Sequence, residues 1–485
     1  MFRLLLTGSL LLISIPTLIM AATTPAGQAI EDAGGSDFSI RAADAVHVTC
    51  MDLIAKNSGN GLQQQEQDLF ARCGEMVRTS LGITTNSYIV SGDSDVFALL
   101  RQFSGEEASS QGRYAVEGSD SQFANVGARL SAIRSGARGS AFAFNFQGID
   151  LAQAAHNNQK NSQTPTRDLV GGGAGSADAD SGFAWFGTAN YGFGDRDSSV
   201  NEDGFDADSY GVTFGVDYVF ENGFVVGAAL GYDAWEIEFD SSVAISVNDV
   251  SGGSMDTDGV TLSAFFDHHM GSAYVSGILS VASLDYDIDR IVAVSATTSG
   301  TPASSRLIKS DTEGEQISGQ MQFGYSFGDG ATTFDLFGGL EVQNVEIDAY
   351  VETDTSSGGG LGLAFGDQDI DSAQSILGAT LRRAVSTGQG VVVPYISVEW
   401  RHEFSNNSRF VDARYAFAVG DLNNDGLSDN FALPTDGPDE NFFDVTVGLT
   451  GQFGNNMALF IQYRTLLGLE DTASNLITAG VRGVF

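Results

Sequence analysis

The sequence predicts an all-β fold, a twelve-stranded antiparallel transmembrane β-barrel over residues 181–485, preceded by a short and partly helical N-terminal region. Three observations predict it. The composition joins 60 glycines and 33 phenylalanines to 7 prolines and 2 cysteines, which suits many strands with an aromatic exterior and does not suit a soluble α/β enzyme. From Gly182 onward, segments alternate apolar with small or polar side chains, the period-two pattern of a strand with one apolar face. The connections between those segments alternate long and short, as they do when tight turns face the periplasm and long loops face outward.

In chain order, residues 1–22 read as a secretory signal. Arg3 is the positive start, Leu4 to Met20 is apolar but broken by Pro16, and Ala21, Ala22 and Ala26 follow. No later run reaches 18 apolar residues, so no transmembrane helix is expected and the chain can reach the bacterial outer membrane. The net charge of −39 excludes nucleic acid held by phosphate neutralisation, because such a chain repels the backbone. The plain reading of that charge is solubility and surface repulsion.

Residues 23–94 form the short N-terminal region. Thr23 to Ala45 is small and polar, which predicts an extended or disordered leader. Cys50 and Cys73 flank a segment with helical character, and an even pair in an exported chain predicts a disulfide. A free pair or a metal site is the alternative, although a zinc site wants further cysteines or histidines than His47 alone.

Residues 95–180 read as helix and then linker. Phe97, Leu99, Leu100 and Phe103 cluster first, and Phe123, Val126, Leu130 and Ile133 then recur at intervals of three or four. Arg129, Arg134 and Arg138 stand there with no acid between Asp120 and Asp150. Such a helix is either a solvated surface element or one lodged inside something acidic. Phe142, Phe144 and Phe146 alternate like a short strand, and residues 157–175 are a polar linker.

Twelve barrel segments start near Phe183, Tyr210, Phe224, Asp256, Ala273, Glu313, Thr333, Ser372, Val391, Phe442, Met457 and Asn475. In the clearest, Val212, Phe214, Val216 and Tyr218 share one face while Thr213, Gly215 and Asp217 share the other. A late one places Ile396, Val398 and Trp400 opposite Ser397, Glu399, Arg401 and Glu403. A polar lumen with a lipid-facing exterior satisfies both faces, whereas a sandwich core would have to bury those charges at high cost. Short turns such as Glu221-Asn222-Gly223 and Thr387-Gly388-Gln389 alternate with long loops, of which 406–440 is the longest.

These residues resemble a known family, the autotransporters of type V secretion. Phe183-Ala-Trp-Phe-Gly-Thr-Ala-Asn-Tyr-Gly-Phe-Gly is similar to the first strand of their translocator domain, and Tyr210-Gly-Val-Thr-Phe-Gly-Val-Asp-Tyr to the second. Val393-Pro-Tyr-Ile-Ser-Val-Glu-Trp-Arg-His-Glu-Phe resembles a late strand. The last eight residues, with Thr478, Gly480 and Phe485, resemble the signal read by the barrel-assembly machinery, and Gly483 departs from it. The resemblance covers residues 180–485 and implies a twelve-stranded barrel, threaded by a helix that leads to an exported passenger. It also implies outer-membrane lipid, the assembly machinery and periplasmic chaperones as partners of a monomeric barrel. Joined to the charge pattern, it makes Arg129, Arg134 and Arg138 candidate pore-plug residues facing Asp217, Glu399 and Glu403 in the lumen.

Two smaller patterns complete the reading. Asp421, Asn423, Asp425 and Asp429 have calcium-loop spacing around Gly426, but Ala432 stands where a bidentate glutamate is wanted. Calcium there competes with a solvated Asn/Asp-rich loop, and no other cofactor is expected. Asn157-Asn158 could serve cleavage by asparagine cyclisation, against a flexible tether. No nucleophile elbow, zinc helix or phosphate-cradling loop occurs, and His402 lies beside Arg401 and Glu403 with no motif serine. The expected function is therefore non-enzymatic: a barrel that translocates or displays its own short N-terminal region. The alternatives are a porin-like or structural barrel with a periplasmic N-terminal region, or a calcium-dependent surface adhesin.

Overall fold

The computed structural model of the chain describes residues 24–59, 61–83, 93–109, 111–134, 145–146, 149–150, 182–240, 252–294, 304–328, 331–387, 390–453 and 457–484. The secretory signal, Arg138, Asn157-Asn158 and Phe485 lie outside the described residues.

Twelve long strands form the barrel: β1 (Gly182–Arg196), β2 (Phe205–Val219), β3 (Phe224–Phe239), β4 (Gly253–Met270), β5 (Ala273–Val294) and β6 (Ser304–Phe327). They continue as β7 (Thr332–Ile347), β8 (Gln368–Arg383), β9 (Gly390–Glu403), β10 (Asn441–Phe453), β11 (Met457–Leu467) and β12 (Thr472–Val484). Each pairs antiparallel with its chain neighbours, and β12 returns to β1 from Thr472↔Arg196 to Val484↔Ala184. The sheet therefore closes, and closure is what lets strands cross a bilayer with no unpaired edge. Among the described residues no helix is long and apolar enough to cross a membrane.

Alternation sets the two faces. Val212, Phe214, Leu230, Leu262, Leu279, Phe323 and Leu340 point outward and are exposed, whereas Thr213, Asp217, Asp233 and Ser263 point inward and are buried. Inward aromatics lie flat across glycines of the neighbouring strand: a side chain at Gly215 would collide with the Phe186 ring, and one at Gly378 with Phe337. The short connections carry their expected turn chemistry. In the β2–β3 turn, Gly223 adopts φ +78° and the Asn222 side chain accepts the Phe224 N–H at 3.1 Å.

The strands run further toward the long loops than the sequence pattern indicates; β6 begins at Ser304 and not at Glu313. β5 has 22 residues and β6 has 24, roughly twice the 9–11 that span a bilayer. The outward face of the extensions is acidic: Asp206 and Asp208 pair with Glu238 and Glu236, and Asp256 and Asp258 with Asp287 and Asp285. Carboxylates cannot face hydrocarbon cheaply, so this girdle marks where the lipid band ends and hides the extensions from a search for apolar faces.

The inner face of the extensions is apolar and is filled by helices. α1 (Pro25–Asp32), α2 (Asp37–Gly59), α3 (Gln64–Ser80) and α4 (Asp93–Ser104) share one buried core with Trp235, Phe239, Met255, Ile288 and Ile308 of the barrel. A small four-stranded sheet joins them, built from 350–351 and 363–365 of the β7–β8 loop and 410–415 and 431–434 of the β9–β10 loop. Cys50 and Cys73 are joined in a disulfide that ties α2 to α3.

Two expectations are corrected here. Residues 24–45 are helical, not an extended leader, because Ala26, Ile30, Phe38, Ala42 and Val46 are all buried in this cap. Thr24 caps α1 by accepting the Gly27 N–H, and Pro25 occupies its first turn, where no N–H partner is lost. The helical segment from residue 95 is also not one unit. α4 belongs to the cap, Gly105 turns the chain at φ +70°, and a separate helix, α5 (Gln111–Arg134), follows. Further on, Asn145–Phe146 pairs with Ile149–Asp150, while Phe142 and Phe144 lie outside the described residues.

Gly215→Leu is expected to destabilise the barrel by about 1–3 kcal/mol, because the Phe186 ring has no room to yield. The temperature at which the folded gel band converts to the unfolded one should fall, while Gly59→Ala, which meets nothing within 4 Å, should cost less.

Candidate functional site in the barrel lumen

α5 lies inside the barrel against the β1–β5 wall. Its apolar residues Phe123, Val126 and Leu130 pack on Phe186, Val219, Val225, Ala229, Phe265 and Ile278. Its polar residues meet the wall group by group: Ser121 donates to Asp233 (3.0 Å), Gln122 to Ser263 (2.9 Å) and Asn125 to Thr213 (3.0 Å). Thr213 in turn donates to Gln122 at 2.9 Å, and Asn190 donates to Ser121. A helix with hydrogen-bonding groups on so much of its surface suits a wall that is itself polar, where each buried donor must find an acceptor.

The strongest contact is ionic. Arg129 donates through Nε and Nη2 to the two oxygens of Asp217, both at 2.6 Å, with both side chains almost completely buried. A bidentate fork in a water-poor lumen combines charge attraction with fixed geometry. Arg482 of β12 stands close to the same pair, and Arg382 of β8 donates to Ser131 at 2.9 Å on the far side of the helix.

Opposite the packed wall, the lumen keeps a cavity of about 130 Å³ between the small face of α5 (Ala124, Gly127, Ala128) and a charged wall. That wall is a ladder: Arg401 lies 3.3 Å from both Glu341 and Glu399 and 3.7 Å from Asp444, and Arg464 bonds Asp444 at 2.6 Å. Arg382 pairs with Asp335.

The sequence-derived residues therefore separate. Asp217 and Arg129 meet. Glu399 and Arg401 face the lumen but serve the ladder. Glu403 sits nearer the loops and accepts from Ser372 (2.6 Å) and the Ala373 N–H (2.9 Å). Arg134 ends α5, and nothing further of its side chain is described. Thr478 is fully buried on the lumen face, and Gly480 lies under the Phe460 ring. His402 points away from the lumen, between Trp400 and Phe404, with Asn441 at 3.1 Å. In the 421–429 loop, Asp421 accepts the N–H groups of Asp425 and Gly426, and Asn423 and Asp425 bond one another. Asp429 turns away to the Gly420 N–H. As folded here these side chains serve the loop's own backbone, and no three His, Cys, Asp or Glu groups suited to a metal gather among the described residues.

The sequence reading places Thr213, Glu399 and Arg401 on the polar face but misses Asp233 and Ser263, the ladder partners Glu341, Asp444 and Arg464, and two clasps on the cap. Arg290 donates to Glu352 at 2.9 Å and to the Gln102 carbonyl at 2.6 Å, and Arg306 grips Asp68 at 2.6 and 2.9 Å. Arginine on an otherwise acidic strand was their only signal.

The family model described as Autotransporter beta-domain matches residues 185–464, more than half of the chain. The chain belongs to the autotransporter β-domain family. Among solved structures, it is similar to the translocator domain of the autotransporter NalP from Neisseria meningitidis, with 15% identity, 69% of this chain and 98% of that chain covered, and a TM-score of 0.45. It is also similar to the β domain of the Bordetella autotransporter BrkA (14% identity, 63% and 100% covered, TM-score 0.40) and to the transport unit of AIDA-I from Escherichia coli (11%, 69% and 98%, 0.39). No curated protein matches the chain's sequence. As an autotransporter barrel, the C-terminal region resides in the bacterial outer membrane and serves secretion or display of a passenger; it is not itself catalytic.

Arg129→Ala leaves Asp217 buried without its partner, and the expected cost is about 3–5 kcal/mol. Denaturant unfolding should show Asp217→Ala recovering part of that loss in the double variant, since the orphaned charge is then gone.

Proposed function

We propose that this autotransporter delivers its own short N-terminal region, α1 to α4, to the cell surface and keeps it there as a docked cap, with α5 left as the pore plug. The direction of α5 carries the reading. Gln111, at its start, donates to the Tyr350 hydroxyl at 3.0 Å and accepts from Gln368 at 2.5 Å, both at the long-loop end. Ser131, near its close, meets Arg382 beside the short turns. β1 then begins at Gly182, opposite Val219, again at the short-turn end. A chain whose cap lies at one mouth and whose barrel starts at the other has its passenger across the membrane.

Folding supplies the direction. The apolar faces of α1, α2 and α4 complete their burial, beyond packing on one another and on α3, against the loop-end strands and the small sheet, so burial rewards arrival at that mouth and opposes return. No nucleotide chemistry is needed. The C-terminal strand with Thr478, Gly480 and Phe485 serves as the assembly signal in this proposal, and outer-membrane lipid and the assembly machinery are its partners.

An epitope inserted at Gly61, in the exposed turn between α2 and α3, tests the proposal. Antibody should stain intact cells, and added protease should remove the stain. Staining seen only after the outer membrane is permeabilised would place the cap in the periplasm and favour a porin-like barrel instead.

A further inference from the structure

The contact between the cap and the external loops buries two pairs of carboxyl groups. In the first, Asp52 of α2 meets Asp429 of the β9–β10 loop. Asp52 is fully buried; its Oδ1 accepts the N–H groups of Leu422 (2.8 Å) and Asn423 (3.0 Å), and its Oδ2 has no donor. Asp429, 7% exposed, accepts the Gly420 N–H through Oδ2, and its Oδ1 has no donor. The two carboxyls lie in hydrogen-bonding contact. In the second pair, Glu106, in the turn between α4 and α5, meets Asp203 of the β1–β2 loop. Arg101 donates to Glu106 Oε2 at 2.6 Å and lies 3.8 Å from Asp203, while Glu106 Oε1 has no donor although the residue is almost wholly buried.

Two carboxylates in contact repel strongly in a buried place unless a proton or a cation lies between them. Around the first pair the backbone presents N–H groups, three in number. These favour one negative charge and leave a second uncompensated. A calcium ion would require six to eight oxygen ligands, and no suitable group of three acids, histidines or cysteines occurs among the described residues. A shared proton satisfies the first pair with nothing added; in the second, Arg101 balances one negative charge and a shared proton removes the other.

We propose that Asp52–Asp429 and Glu106–Asp203 are proton-sharing latches that hold the cap to two external loops while each keeps its proton, and release it when the protons leave. The proposal rests on the reading of α1 to α4 as a docked cap. Burial first, and then the hydrogen bond shared with Asp52, push the Asp429 carboxyl up to about 6. Burial and the neighbouring Asp203 raise Glu106 well above the usual carboxyl range. A carboxyl that holds its proton more tightly when docked favours docking in its protonated form. That advantage is complete below the ordinary value of 3.8 and is lost as pH rises through about 6. Other charges face the pairs. Arg414 lies near Asp429 and opposes the effect, with Asp425 and the His47 and Asp44 of α2 beyond it. Arg101, Glu107, Arg290 and Glu352 surround the second pair, and Asp240 approaches Asp203 from the barrel.

Hydrogen exchange of the α2 amides, read by mass spectrometry on the purified full chain in micelles from pH 5 to pH 8 and corrected for intrinsic rates, tests the latches. Protection is expected to fall about 10-fold across the range, because pH 5 lies about one unit below the docked value of about 6 and the rest of the displacement acts below pH 5. Asp429→Asn and Asp52→Asn, which stay neutral, should each keep α2 protected at pH 8, and Asp421→Asn should respond like the wild type. Protection that ignores pH in the wild type, or a pH response unchanged in whichever asparagine variant folds, would overturn the proposal. So would calcium alone restoring protection at pH 8 in the wild type, because a metal ion would then occupy the proton's place. The readout needs neither export nor sidedness, so its failure and a failure of surface staining are distinct results.

Discussion

The fork between Arg129 and Asp217 is the constraint on which the arrangement turns. A barrel of twelve strands encloses more space than its own inward side chains fill, and α5 occupies much of it. A helix in that position needs partners for its buried polar groups, and Ser121, Gln122, Asn125 and Arg129 each bond the wall. The guanidinium and carboxylate are worth more together than either is alone, because either one left single in the lumen would be a bare charge in a place with little water. Fixing Arg129 on β2 also fixes the rotation of the helix. Phe123, Val126 and Leu130 then meet Phe186 and Phe265, and the small face of Ala124 and Gly127 looks toward the ladder.

That rotation links the two ends of the molecule. At the long-loop end the helix is continuous with a cap whose core is shared between α1 to α4 and the barrel extensions. Arg290 and Arg306 bind that cap by clasping chain from both sides of the interface: Gln102 and Asp68 from the helices, Glu352 and Asp354 from the loop. The N-terminal helices are thus interlocked with the barrel's own loops. On the strand extensions, the acidic girdle lies outside and the arginine clasps lie inside, with guanidinium groups toward the cap.

Much of this was legible in the sequence because it obeys short periods. Tyr210 to Phe220 states its faces outright, and the alternation of long and short connections fixes the barrel and its orientation. The family followed from motifs in β1, β2 and β9. What was hidden depends on contacts distant in the chain. Residues 24–45 look like a leader because Ala26, Ala42 and Ala43 are small; the neighbouring helices and the strands around them make them core. α4 and α5 look continuous because both are apolar at helical spacing, and the chain turns at Gly105 between the cap and the helix in the lumen. Asp217 could be placed in the lumen from its parity on the strand, but its choice of Arg129 could not. Glu399 has the same parity and pairs instead with Arg401, two residues away on its own strand.

The most direct test of the central claim is a disulfide trap in the outer membrane. Ser121 of α5 and Asp233 of β3 touch at 3.0 Å, and the native cysteines are already paired with one another. Ser121→Cys with Asp233→Cys should cross-link spontaneously in the mature protein, giving a compact species that reductant converts to the uncrosslinked form. A double variant that assembles as a barrel yet shows no cross-link, with both new thiols open to a water-soluble maleimide, would mean that α5 does not lie in the lumen.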